Sequence, residues 1–295
     1  ENNGYGLSTP TSEQYKCNSL VDRAIGYGIE GIKINGNDII EVYNTINHCA
    51  KKIRKNPAPI LIEAMTFRVR GHEEASGVKY VPKDLINKWS KKDPLLLFEK
   101  YLKGKKILNK SLKIKTENKI EKYVLENIDI ALDKGIPTSS IENEINDVYL
   151  NEDVKLTSPK NNRIKETRFV DAIKNSLYQK MESDDSVIIM GQDIAEYGGV
   201  FKVTEGFLKT FGKQRVRNTP IIESAVIGCA MGLSFNGFKP VVEMQFADFV
   251  SVGFNQIVNN LAKTYYRWGQ PVNVTLRMPT GGGIGAGPFH SQNPE

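Results

Sequence analysis

Apolar positions along the 295-residue chain change period twice. Residues 28–34 (GIEGIKI) have strand character. The next run, NGNDIIEVYNTINHCAKKIRK, opens on a turn in which Asn37 or Asp38 can cap a helix. Ile39, Val42, Tyr43 and Ile46 then recur at helical spacing, and Pro57 and Pro59 close the segment. PILIEAMTF follows as a continuous apolar run, the pattern of a buried parallel strand. Strand, helix, strand in this order predicts a parallel α/β sheet.

Residues 82–148 read as helices (PKDLINKW, DPLLLFEKYLK, TENKIEKYVLENIDIALDKG), the last closed by Gly135 and Pro137. Residues 151–165 are polar and turn-rich, and are expected to be a linker. Alternation then restarts. TRFVDAIKNSLYQKMESD is an amphipathic helix with Thr167 as its cap, and SVIIMGQDI is a strand running into a loop. PIIESAVIGCAMGLSFNG is a buried helix beginning at Pro220, and KPVVEMQF is a strand. A long helix covers FADFVSVGFNQIVNNLAKTYYRW, and PVNVTLRMP is a last strand. The expected organisation is therefore one α/β domain over 1–150 with a helical tail, the linker 151–165, and a second α/β domain over 166–295.

Composition narrows the class. Hydrophobic residues are 40% and charged residues 25%, the profile of a chain with a real core rather than a disordered one. No apolar run is long enough for a membrane helix, and no signal-peptide pattern is visible. The three cysteines (Cys17, Cys49, Cys229) are far apart and lack CxxC spacing. A disulfide framework or structural zinc site is not expected, and a reducing, cytoplasmic setting fits. The net charge of +6 is local: residues 83–122 hold thirteen lysines against five acidic residues. That run has no recognisable nucleic-acid module, so neither nucleic acid nor membrane is an expected partner. The chain starts at Glu1 without Met and stops after a Gly-rich loop, so a piece of a longer enzyme is expected.

Four segments carry candidate chemistry. ENNGYGLSTP packs amides and glycines into a turn whose oxygens suit a hard divalent cation, although ordinary turn chemistry uses the same residues. FRVRGHEEASG puts two arginines and His72 just after an apolar strand, where open α/β sheets bind ligands; a solvated surface loop is the alternative. Glu223, beside apolar Ile222, is either a functional carboxylate or a first-turn helix residue. RMPTGGGIGAGPFHSQNPE is glycine-rich and carries His290, but matches neither a Walker A loop nor a dinucleotide fingerprint. His48 sits on a helix face and reads as structural.

Together, in this order, the segments resemble the thiamine-diphosphate-dependent decarboxylating component of the 2-oxo acid dehydrogenase complexes. The first half is similar to the carboxy-terminal part of its alpha subunit, the second to the amino-terminal domain of its beta subunit. This implies an alpha–beta fusion with a transketolase-like, thiamine-diphosphate-binding α/β fold. NNGYGLSTP is similar to the tail of the family's GDG…NN motif, which implies that Asn3 and the backbone carbonyl of Tyr5 hold Mg2+ beside thiamine diphosphate. RVRGHEE resembles the loop of the active-site histidine, His72; Glu73 stands where mitochondrial relatives carry a phosphorylated serine, so that switch is expected to be absent. Glu223 matches the glutamate that contacts the cofactor's aminopyrimidine ring. Phe249 in QFADF matches an aromatic position near that ring, and His290 in HSQNPE matches the histidine at the substrate end.

The implied reaction is oxidative decarboxylation of a 2-oxo acid with acyl transfer to a lipoylated dihydrolipoyl acyltransferase, performed by a homodimer. STPTSEQY, GYGIEGIKINGNDIIEVYN and QFADF look more like the branched-chain enzymes than the pyruvate enzymes. Pyruvate as substrate, a transketolase-like activity and a non-catalytic binding module are the alternatives. The GDG half of the motif and the rest of the beta-type fold are not in the 295 residues, so this segment alone is expected to be inactive.

Overall fold

A computed structural model describes every residue except 74, 76, 151–157, 159–163, 282–284 and 295. The linker expected over 151–165 therefore lies almost wholly outside the described residues, as does the centre of the Gly-rich loop. The chain divides into two compact units, Glu1–Gly135 and Ile136–Glu295.

The first unit opens with a two-residue ribbon, β1 (Tyr5–Gly6) against β2 (Thr9–Pro10), followed by α1 (Thr11–Gln14) and α2 (Arg23–Tyr27). Strands β3 (Glu30–Asn35) and β4 (Ile60–Met65) pair in parallel, from Glu30 opposite Ile60 to Asn35 opposite Met65. Helix α3 (Ile39–Lys55) crosses between them. Asp38 caps it, accepting from the amides of Ile40 (3.0 Å) and Glu41 (3.1 Å), and Asn56 ends it just before Pro57. Helices α4 (Lys83–Ser90), α5 (Pro94–Gly104) and α6 (Lys110–Asp133) follow. Trp89 stacks on Phe67 with centroids 5.5 Å apart, and Asn37 Nδ2 donates to Lys92 O (2.8 Å), so the α4–α5 corner is held at the carboxyl end of the strands.

The second unit begins with α7 (Ile141–Val148). The sequence puts this helix with the first domain, but Tyr266 donates its hydroxyl to Glu144 (2.9 Å), which holds α7 on the far end of the second unit. Next come α8 (Phe169–Ser183), β5 (Val187–Gly191), α9 (Phe207–Phe211), β6 (Val216–Asn218), α10 (Glu223–Phe235), β7 (Lys239–Glu243), α11 (Val250–Gln256), α12 (Ala262–Trp268) and β8 (Thr275–Arg277). The strands form one parallel sheet in the order β6-β5-β7-β8. β5 is buried along its whole length. Val187 and Ile189 pack with Met181, Phe207 and Val216 on one face, while Met190 packs with Val226, Ala230 and Val242 on the other. Helices thus cover both faces, as a parallel sheet requires. Each such side chain contributes roughly 1.5–3 kcal/mol of burial.

Two expectations are corrected. Thr167 does not cap α8; the helix starts at Phe169, and Arg168 forks onto Asp171 (2.7 and 3.0 Å) in the first turn instead. The helix expected from Pro220 starts at Glu223, because Ile222 is still non-helical at φ −158°. In addition the sheet has an edge strand, β6, that the sequence did not announce, because it carries no readable apolar run. Arg215 fixes it by donating to the carbonyls of Met181 (2.7 Å) and Asp184 (2.8 Å) at the end of α8, and to Val187 O (3.1 Å) on β5.

Candidate active site

In the first unit the candidate residues gather at the carboxyl end of β4. Asn2 runs alongside that end: its amide donates to Ala64 O (2.9 Å), and its carbonyl accepts from Thr66 (2.9 Å). The next turn is closed by its own asparagines, with Asn2 Oδ1 accepting from Gly4 N and Asn3 Oδ1 from Tyr5 N, both at 3.0 Å. Asn3 and Tyr5 therefore sit in one tight turn, with the Tyr5 ring against Phe67 (6.3 Å) and Tyr80 (6.1 Å). The segment carrying His72 is tied to the same turn. Arg68 donates to Leu7 O (3.3 Å), and its other guanidinium nitrogen lies 3.0 Å from His72 Nδ1. His72 is exposed.

Beneath the turn, Glu63 is buried in β4. Burial by itself would raise its carboxyl. Hydrogen bonds from the Ser19 hydroxyl, Asn2 Nδ2 (2.7 Å) and Val21 N (3.0 Å) outweigh that and hold its pKa at about 2. Glu63 thus pins the Asn2–Tyr5 turn and the 19–21 turn to the strand. Asn3 offers an amide oxygen and Tyr5 a backbone carbonyl, which are ligands for a hard cation. Among the described residues no cluster of three His, Cys, Asp or Glu side chains is placed to hold a metal.

In the second unit the candidates lie at the carboxyl ends of the parallel strands, the ligand side of open α/β sheets. Glu223 is the first residue of α10, and its carboxylate accepts from Gln192 Nε2 (3.2 Å), one residue past β5. A helix N-terminus favours its negative charge. Phe249 ends a 3-10 turn after β7, and His290 returns from the loop after β8. The two meet ring to ring at 5.6 Å, while Phe246 stands edge-on to His290 at 4.8 Å and against Phe201 at 5.8 Å. Phe201 and Phe246 also line an apolar cavity of about 430 Å3 that continues to Arg277 and Thr280.

Glu243, the last residue of β7, is paired across the sheet with Arg277 of β8. Burial pushes its pKa up to about 7 against the pull of the guanidinium. Sequence reading passed over Glu63, Glu243, Arg277 and the Phe246 ring. The signal was present for both glutamates: each stands inside an apolar strand run, where a carboxylate must find a partner.

Comparison with known proteins agrees with this division. Residues 1–140 match the family Dehydrogenase E1 component, and residues 165–295 match the family Transketolase, pyrimidine binding domain. A 3-methyl-2-oxobutanoate dehydrogenase subunit beta of Mycobacterium tuberculosis is 48% identical over 128 residues, covering 43% of this chain and 37% of that subunit. A 2-oxoisovalerate dehydrogenase subunit beta of Bacillus subtilis is 42% identical over 43% of this chain and 39% of that subunit. A pyruvate dehydrogenase E1 component subunit beta of Staphylococcus epidermidis is 42% identical over the same two shares. The aligned stretch thus spans about two-fifths of each of these relatives. Among the described residues no helix is long and apolar enough to cross a membrane. The chain thus carries an E1-type dehydrogenase segment followed by a transketolase-type pyrimidine-binding segment, which supports a thiamine-diphosphate-dependent 2-oxo acid dehydrogenase component.

Proposed function

We propose that this chain serves the oxidative decarboxylation of a branched-chain 2-oxo acid of the 3-methyl-2-oxobutanoate type, with acyl transfer to the lipoyl group of a dihydrolipoyl acyltransferase. The observation that carries the reading is that Glu223, Phe249 and His290 all lie at the carboxyl ends of one parallel sheet, Glu223 on Gln192 and Phe249 ring to ring with His290. The donor set fits the cofactor: a carboxylate at a helix N-terminus for a ring amine, aromatic edges for a ring face, and neutral oxygens for Mg2+. When bound, thiamine diphosphate supplies a carbon nucleophile and an electron sink for the loss of carbon dioxide.

The chain's own groups do the rest. Glu223 would hydrogen-bond the aminopyrimidine and exchange a proton at its carboxylate, and Phe249 would supply an aromatic wall beside that ring. His290, in the second unit, would orient the substrate carboxylate, and its imidazole would move protons during acyl transfer; the His72 imidazole is the proton-exchanging group of the first unit. Asn3 and the Tyr5 carbonyl would hold Mg2+. The phenylalanines around His290 exclude water from the acyl group. The same reading makes the protein a cytoplasmic homodimer.

Pyruvate is the second reading, favoured by the 42% identity to a pyruvate dehydrogenase beta subunit. One experiment separates them: turnover of 3-methyl-2-oxobutanoate and of pyruvate by the holoenzyme with a dye acceptor, for the wild type, Glu223→Gln and His290→Ala. The branched substrate is expected to have the higher kcat/KM by tenfold or more, a difference of roughly 1.4 kcal/mol. Both variants are expected to lose about 10²-fold or more in kcat. Higher kcat/KM on pyruvate reverses the substrate assignment, and unchanged turnover in both variants removes the catalytic one.

A further inference from the structure

Between β5, β7 and the start of α10 lies a small cavity whose wall includes Gln192, Thr219, Glu223 and Glu243. Its volume of about 10 Å3 is close to the smallest that admits one water molecule. Two polar atoms on wall residues, Thr219 Oγ1 and Glu243 Oε2, are buried and have no hydrogen-bond partner among the described residues. Buried polar atoms of this kind are satisfied by protein or by ordered water, and a void beside them with room for one molecule favours water.

Glu243 is held rigidly. Its other oxygen accepts from Arg277 Nη1, its strand is in register with both neighbours, and its carbonyl lies close against Gly191. Glu223 is held less firmly, with the Gln192 amide on one oxygen. The charged groups around the cavity are Arg277 from β8, Glu223 from α10 and, through Gln245 Nε2 (3.1 Å), Asp193 after β5.

We infer that one water fills this cavity, bridging Thr219 Oγ1 and Glu243 Oε2, and that through it Glu243 is a positioning residue for the Glu223 carboxylate. The water suits either charge state of Glu243, because it donates to a carboxylate and accepts from a carboxylic acid. It ties the Glu223 carboxylate to the sheet, so that the carboxylate would meet its ring partner in one orientation. The inference rests on the catalytic reading of Glu223.

The test combines crystallography with kinetics on the holoenzyme. The wild-type crystal structure is expected to show one water about 3 Å from Thr219 Oγ1, Glu243 Oε2 and a Glu223 oxygen. Thr219→Val, which keeps the shape and removes the hydroxyl, is expected to lose that water. It is also expected to lower kcat about tenfold with KM within about twofold, and to shift the acid limb of the kcat pH profile. Thr219→Ser restores all three readouts. A dry cavity, or a water out of reach of Glu223, overturns the inference. An inactive Glu223→Gln together with an unchanged Thr219→Val overturns the positioning role alone. An active Glu223→Gln overturns the catalytic reading, and the positioning role falls with it, whereas the bridging water is judged by the crystal structure.

Discussion

Glu63 and Glu243 are the same residue type in the same local setting, a carboxylate inside an apolar parallel strand, and they titrate in opposite directions. The difference lies in their partners. Glu63 receives a hydroxyl, an amide and a backbone N–H, and its pKa falls to about 2. Glu243 has a guanidinium on one oxygen and a buried, unpartnered second oxygen, and its pKa rises to about 7. Linkage gives the signs. Glu63 stabilises its unit above the ordinary carboxylate value of 4.5, and that contribution is lost as pH falls toward about 2. Glu243 stabilises below 4.5, and its contribution is lost as pH rises through about 7. Urea unfolding across this range is the check. Glu63→Gln should be less stable than wild type at neutral pH by about 2 kcal/mol, the gap narrowing in acid. Glu243→Gln should flatten the decline in stability between pH 4.5 and about 7. Variant curves running parallel to the wild type would contradict both assignments.

At the scale of elements, the end of β5 sets how closely the sheet can form under the site. A Cβ on Gly191 would lie 2.3 Å from the Glu243 carbonyl oxygen, a backbone atom that cannot swing away. Gly228 in α10 is the opposite case, with nothing within 4 Å of its Cβ position. Gly191→Ala is therefore expected to destabilise the second unit by about 1–3 kcal/mol. Gly228→Ala is expected to be neutral or to stabilise by up to about 1 kcal/mol. Thermal unfolding of the two variants decides it, and equal melting temperatures would mean β5 and β7 separate readily. The elements also differ in how readable they were. Helix α3 was legible to its cap and stop, because Asp38 and Asn56 act on neighbouring backbone. Strand β6 was not, because Arg215 fixes it through carbonyls 28 to 34 residues away.

For the whole molecule, the excess charge is concentrated on α4, α5 and α6 and is partly spent within the fold. Lys103 and Lys113 both pair with Glu99, Lys122 pairs with Glu126, and Lys92 lies 5.1 Å over the Trp89 ring. Lysines tied down in this way are poor counterion-releasing contacts for phosphates. A duplex DNA or RNA is expected not to be retarded by the protein at micromolar concentration in about 0.15 M salt. Salt-sensitive binding under those conditions would favour a binding module over the enzyme reading.

The sequence by itself determined two α/β halves and the strand order within β3–α3–β4. It also brought Asn3, Tyr5, His72, Glu223, Phe249 and His290 forward as candidates. Periodicity, caps and short motifs act over a few residues and so are written locally. Only the tertiary structure decided that α7 packs on α12, that Phe249 and His290 meet ring to ring, and that Glu243 faces Arg277 while sharing a cavity with Glu223. These depend on parallel strands brought together across long crossovers, and on burial that makes each polar atom find a partner within reach.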